Sequence, residues 1–287
     1  MRVDVEFKSL DGTPLAAFLY TPDTGSGPFP AVVLSHGFGA VKEMALDAYA
    51  DVFCAAGFAC LVYDHRNTGS SGGALRGEID PWQQVSDMRD AITYVGSRAE
   101  VDADRIGLWG TSYSGGHSLV VAATDSRVKC VVAVVPTISG HQNTTRALTA
   151  DGYAAFVRDV NEERAARQRG EEPLMIPISM EGDESYEWSK VAGVGTTYVN
   201  SCTLLSRAHR AAYEPGSYIA AISPTPLLLA LGTHDTKCLT DLQLEAYSTA
   251  HEPKRLELFP GGHYAPYTTQ LDTIASAARD WFEMHLS

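Results

Sequence analysis

The chain has 287 residues, 45% of them hydrophobic and 20% charged, with 25 Gly and 14 Pro, a composition that excludes collagen-like and disordered classes. Its 22 Lys and Arg against 35 Asp and Glu give a net charge of −13, which repels phosphate backbones and anionic bilayers and excludes nucleic acid and membrane as partners. No apolar run approaches the roughly 20 residues that span a bilayer, and the opening MRVDVEFKSL lacks the basic-then-apolar layout of an export signal.

In chain order, Val3, Val5 and Phe7 alternate with Asp4, Glu6 and Lys8 as a half-exposed strand does. Asp11-Gly12 supplies a turn, and 15–20 returns as a second strand of an edge hairpin. Past the Gly/Pro-rich loop 25–30 the pattern changes to continuous apolar runs at 31–34, 59–63, 106–109, 131–135, 227–231 and 256–259, the mark of strands buried on both faces. Helical stretches lie between them. Trp82, Val85, Met88, Ile92 and Val95 form one apolar stripe, and 43–56, 112–124, 237–250 and 268–285 are helical by composition. Strands alternating with helices predict βαβ units and a mostly parallel sheet covered on both faces, an α/β fold.

From Thr137 to Ile222 the rhythm breaks: the chain turns helical, acidic and aromatic, with Tyr153, Phe156, Tyr186, Trp188 and Tyr198 among its residues. A structureless connection of this length is improbable in a compact domain, so 137–222 reads as an inserted helical cap on a core formed by 1–136 and 223–287. The five aromatics are the candidates to line a substrate pocket. The five cysteines, Cys54, Cys60, Cys130, Cys202 and Cys238, are odd in number, scattered and mostly flanked by apolar residues, as reduced core cysteines of a cytoplasmic protein are.

The chemistry concentrates where the strand 106–109 runs into Gly110-Thr111-Ser112-Tyr113-Ser114-Gly115-Gly116 and a helix follows. Small residues on either side of Ser112 permit the sharp strand-to-helix turn that presents a strained, exposed serine hydroxyl. A serine needs a base, and the base needs an orienting acid. Asp235 follows the strand 227–231 in Gly232-Thr233-His234-Asp235, and His263 follows 256–259 in Pro260-Gly261-Gly262-His263, so both fall at the sheet edge that carries Ser112. Asp241 sits inside a helix, His251 precedes a strand, and His234 adjoins the proposed acid as a possible support. Ser114 reads as a packing residue, His36 and His65 as turn residues, Asp64 and Arg66 as an ion pair beneath the site, and His117 as a helix residue against the core.

These motifs, with His36-Gly37-Phe38-Gly39 and Asp64-His65-Arg66-Asn67-Thr68-Gly69-Ser70-Ser71-Gly72, resemble the α/β-hydrolases, and within them the dienelactone hydrolase and Xaa-Pro dipeptidyl-peptidase-like esterases. The likeness covers about 30–140 and 223–287. It implies an oxyanion hole made by the backbone N–H groups of Tyr113 and Phe38, with Gly37 the second choice in that loop. No H-E-x-x-H or H-x-H-x-D cluster and no early G-x-G-x-x-G occurs, so neither metal nor organic cofactor is expected.

The reading is a serine hydrolase cleaving a carboxylic ester, thioester or lactone of a small molecule through Ser112, His263 and Asp235. Acyl transfer and amide cleavage use the same triad, and a non-catalytic small-molecule receptor is the reading from another class. No free-amine binding site is identifiable for a peptidase. The acidic surplus points, lightly, away from strongly anionic substrates. Many proteins of this fold associate with themselves, so a homo-oligomer is compatible with the reading.

Overall fold

In the computed structural model, which describes residues 1–286, the edge hairpin is β1 (Arg2–Lys8) and β2 (Pro14–Tyr20), antiparallel with Val5 opposite Ala17. The continuous apolar runs then become β3 (Phe29–Ser35), β4 (Ala59–Tyr63), β5 (Val101–Thr111) and β6 (Val128–Val134). Between and after them lie α1 (Leu46–Ala55), α2 (Pro81–Gly96) and α3 (Tyr113–Thr124). The segment 137–222 holds α4 (Gly140–Ala147), α5 (Ala150–Gln168), β7 (Met175–Ile176), α6 (Glu184–Ala192), β8 (Cys202–Thr203), α7 (Leu204–Ala211) and a 3-10 turn over Pro215–Ala221. It is therefore helical with one addition, the short antiparallel pair of β7 with β8. The chain closes with β9 (Leu227–Gly232), α8 (Thr240–Thr249), β10 (Lys254–Phe259) and α9 (Leu271–Leu286).

Among the described residues eight strands form the main sheet, in the order β1-β2-β4-β3-β5-β6-β9-β10, with every pair parallel from β4 to β10. Alternation along the buried strands splits the core into two layers. Val33, Leu61, Val131 and Leu229 face α2, α3 and α8 on one side. Val32, Cys60, Val132 and Leu228 face the other side, with Tyr49 and Phe53 of α1 and Ile274 and Phe282 of α9. No helix of the described residues is long and apolar enough to cross a membrane.

One expected pair is corrected. Asp64 and Arg66 do not meet. Asp64, the first residue past β4, turns toward the loop after the neighbouring strand β3, where its carboxylate accepts from Lys42 Nζ (2.8 Å), the Lys42 backbone N–H (2.7 Å) and the Ser70 N–H (2.8 Å). Two residues on, the chain has turned away, and Arg66 grips Asp87 of α2 through Nε (2.8 Å) and Nη2 (2.5 Å) and Asp11 through Nη1 (2.8 Å). Lys42 is 4% exposed and Asp64 is fully buried, so removing the ammonium leaves an uncompensated carboxylate in the interior. Lys42→Met is expected to cost about 3–5 kcal/mol of stability. Urea unfolding would read this as a lower midpoint with an unchanged slope; an unmoved midpoint would contradict it.

Candidate active site

Ser112 joins β5 to α3 at φ 55° and ψ −116°, a backbone conformation that a side chain with a Cβ adopts only under strain. Its N–H is held by the Val134 carbonyl at 2.9 Å, and its carbonyl accepts from Thr137 N–H at 2.8 Å. The glycines around it are needed for close approach. A Cβ on Gly37 would stand 3.0 Å from Ser112 Cβ, and one on Gly115 would stand 2.9 Å from Pro136. On Gly110 a Cβ would collide with the Ser114 carbonyl.

The residues predicted as base and acid come to this serine. His263 Nε2 lies 2.9 Å from Ser112 Oγ, and its Nδ1 lies 2.8 Å from Asp235 Oδ2. A carboxylate only accepts, so the proton sits on Nδ1 and the Nε2 lone pair faces the serine hydroxyl. Asp235 is 4% exposed, and its other oxygen accepts from the N–H groups of Lys237 (2.8 Å) and Cys238 (2.9 Å). Both carboxylate oxygens are thus engaged and its orientation is fixed. The competing residues lie elsewhere. Exposed Asp241 pairs with Arg146 at 2.5 Å, exposed His251 precedes β10, and His234 turns its Nδ1 to Thr233 Oγ1 at 2.8 Å instead of to Asp235.

Beneath the elbow, Ser114 is a fully buried connector. Its hydroxyl donates to the His36 carbonyl at 2.5 Å and accepts from His65 Nε2–H at 2.7 Å. His36 Nδ1–H donates to the Gly37 carbonyl at 3.0 Å, and Ala40 N–H adds a second bond there at 3.2 Å. With that carbonyl turned toward His36, the trans peptide directs the Phe38 N–H to the opposite side.

A cavity of about 410 Å³ opens over Ser112, lined by His36, Gly37, Phe38, Ser112, Tyr113, His263 and residues of the segment 137–222. Among the five aromatics expected there, Trp188 lines it, stacked on Tyr264 (5.0 Å, 26°) and against Tyr267 (5.1 Å). The other four do not line it. Phe156 packs with Val160, Leu204 and Leu205, and Tyr153 lies against Phe156 and His141. Tyr198 packs beside Val41 and Met44 and bonds Asn200, and half-buried Tyr186 is not among the lining residues. Aromatic composition alone does not say which side of a small helical layer faces inward.

The sequence reading missed two features of the lining. Cys238, beside Asp235 on the loop after β9, lies against the cavity, but burial holds its thiol up to about 12, so it stays protonated and is a poor nucleophile. Arg207 and Arg210, one turn apart on α7, bring positive charge into the cavity of an acidic protein. Their i, i+3 spacing was the available signal.

A model of the X-Pro dipeptidyl-peptidase (S15) family matches residues 11–265. The chain belongs to that family. It is a hydrolase by membership, and its fold is that of the α/β-hydrolases. It is 32% identical over 274 residues to thiohydrolase aneE of Aspergillus aculeatus, covering 89% of this chain and 84% of that protein. It is 30% identical to the polyketide transferase grgF of a Penicillium species, over 100% of this chain and 97% of the other. The crystal structure of α/β-hydrolase GrgF from Penicillium sp. sh18 superposes with a TM-score of 0.87 at 29% identity, covering 100% of this chain and 99% of that one.

Proposed function

We propose that the protein is a serine acyl hydrolase that cleaves a small-molecule carboxylic ester or thioester through an acyl-enzyme on Ser112. The observation that carries this is the continuous hydrogen-bonded line Asp235–His263–Ser112, with a strained serine at its end and a cavity above it. In this reading Ser112 Oγ attacks the carbonyl carbon as His263 Nε2 takes its proton, and Asp235 steadies the imidazolium. The tetrahedral oxyanion accepts from the Tyr113 and Phe38 N–H groups, the latter aimed by the bonds that hold the Gly37 carbonyl back. His263 passes the proton to the leaving alcohol or thiol, then activates water to release the acid. Segment 137–222 serves as the cap that bounds the acyl group, and no metal or organic cofactor takes part.

Two observations rank the alternatives. Peptidase action at a free amino terminus calls for an uncommitted carboxylate, yet the charged lining residues are Asp183, Arg207, Arg210 and Lys237, and Asp183 is already paired with Lys237 at 2.5 Å. The likeness to a polyketide transferase favours, as the second reading, transfer of the acyl group to an acceptor other than water.

The test is active-site phosphonylation. A fluorophosphonate is expected to label wild type once, on the peptide bearing Ser112, and to leave Ser112→Ala unlabelled. Labelling of the alanine variant, or none of the wild type, would overturn the reading. Product analysis with and without added alcohol separates hydrolysis from transfer.

A further inference from the structure

The charge of the cavity opposes the charge of the chain. The protein carries −13 overall, yet α7 places Arg207 and Arg210 against the cavity above Ser112. Both guanidinium groups lie over the face of one ring, Phe38, at 5.7 Å and 5.2 Å from its centroid. Among the described residues neither has a carboxylate within ion-pair distance. Arg207 Nη2 donates to the carbonyls of Pro177 (3.1 Å) and Ile178 (2.5 Å), dipoles that hold the side chain without neutralising it. The remaining charged lining residues, Asp183 and Lys237, satisfy each other. The neighbouring guanidinium and burial together bring the Arg210 pKa down to about 10, burial being the larger cause, so it remains a cation at neutral pH.

Two like charges sharing a desolvated wall repel, and a ring face returns only part of that cost. A fold tolerates this where a ligand supplies the missing anion. We infer that Arg207 and Arg210 form a subsite for a carboxylate carried by the substrate, seated beside Phe38. The inference rests on the acyl-hydrolase reading and narrows it to anionic esters or thioesters. It runs against the expectation drawn lightly from net charge, because the charged residues that line the cavity, Arg207, Arg210 and Lys237 with Asp183, are together opposite in sign to the chain as a whole. The ring of Phe38 packs edge-on to Tyr113 at 5.3 Å, and Phe38, Tyr113, Ser112 and both arginines line one cavity, so a short dicarboxylic half-ester is the substrate class to try.

The test compares p-nitrophenyl half-esters of the dicarboxylic acids from succinate to suberate with their methyl-capped counterparts. A second arm carries the carboxylate on the leaving group instead, as in the hexanoyl thioester of 3-mercaptopropionate. Wild type is expected to favour an anionic substrate about 10- to 100-fold in kcat/KM, the worth of a charge-assisted pair. That ratio should collapse toward one in Arg210→Met and return in part in Arg210→Lys. Whichever arm shows the preference places the carboxylate on the acyl or the leaving side. Calorimetric binding of adipate to wild type, weakened at least tenfold in Arg210→Met, reads the subsite without catalysis. Should either variant misfold, competitive inhibition of wild type by adipate, relieved by salt, replaces it. A wild-type ratio near one in both arms with no adipate binding overturns the subsite while phosphonylation of Ser112 still stands. Adipate binding without phosphonylation keeps the subsite and overturns the hydrolase.

Discussion

Alanine at Ser112 is expected to lower kcat for ester hydrolysis by about ten-thousand- to a million-fold, and the Ser112→Ala, His263→Ala double variant is expected to be scarcely worse than either single one. The reason is the geometry of one line of bonds. His263 Nε2 has a single partner here, the Ser112 hydroxyl at 2.9 Å, so the base without the nucleophile has nothing to activate, and the reverse holds equally. Additive losses would mean that the two act independently, and the shared mechanism would fall. The same serine gives a stability readout. Its φ of 55° costs a residue with a Cβ about 1–3 kcal/mol, and glycine adopts such a conformation freely. Ser112→Gly is therefore expected to be inactive yet to melt a few degrees higher than Ser112→Ala. If glycine melts no higher, the strain is not stored at this residue.

How far sequence reaches into this site follows from which physical signals are local. Each strand buried on both faces is a continuous apolar run, so β3, β4, β6 and β9 stand out, and the loops at the carboxyl ends of β5, β9 and β10 bring Ser112, Asp235 and His263 to one edge. β5 begins five residues earlier than the apolar run at 106 because Asp102, Ala103, Asp104 and Arg105 interrupt the pattern, and Val101 still pairs with Phe29. Side-chain partners are less legible. Asp64 and Arg66 are two apart in sequence, but the turn between them sends one to Lys42 and the other to α2. The cavity lining was the least legible: the order of α4, α6 and α7 around the opening is a tertiary fact, and it selects Trp188 and the arginines over Tyr153, Phe156, Tyr186 and Tyr198.

The imidazoles beneath the elbow make stability depend on pH in a direction fixed by their hydrogen bonds. His36, His65 and His117 follow one another edge to face, with centroids 4.7 Å and 5.6 Å apart, and all are buried. Each is bonded as a neutral ring. His36 Nε2 accepts from the His65 N–H at 3.3 Å, and His65 Nδ1 has no partner to which an added proton could donate. His117 lies between Tyr213 Oη and Gln84 Oε1, both at 3.0 Å. Burial lowers all three; at His36 it outweighs the attraction of Asp64, 3.9 Å away, and at His117 it brings the pKa to about 3. An imidazole whose folded pKa lies below its unfolded value of about 6.5 binds more protons unfolded, so its contribution is complete above that value and is lost as pH falls toward the folded one. His117 alone is expected to forfeit about 2 kcal/mol by pH 5, and the slope approaches about 1.4 kcal/mol per pH unit for each ring that takes part. Urea midpoints should hold steady above about pH 7 and fall steeply below about 6.5, where exposed histidines contribute no such term. A midpoint that stays level down to pH 5 would show that the rings accept protons in place. Because Ser114 ties His65 to the carbonyl of His36, the loop bearing Phe38 loses its support in the same step.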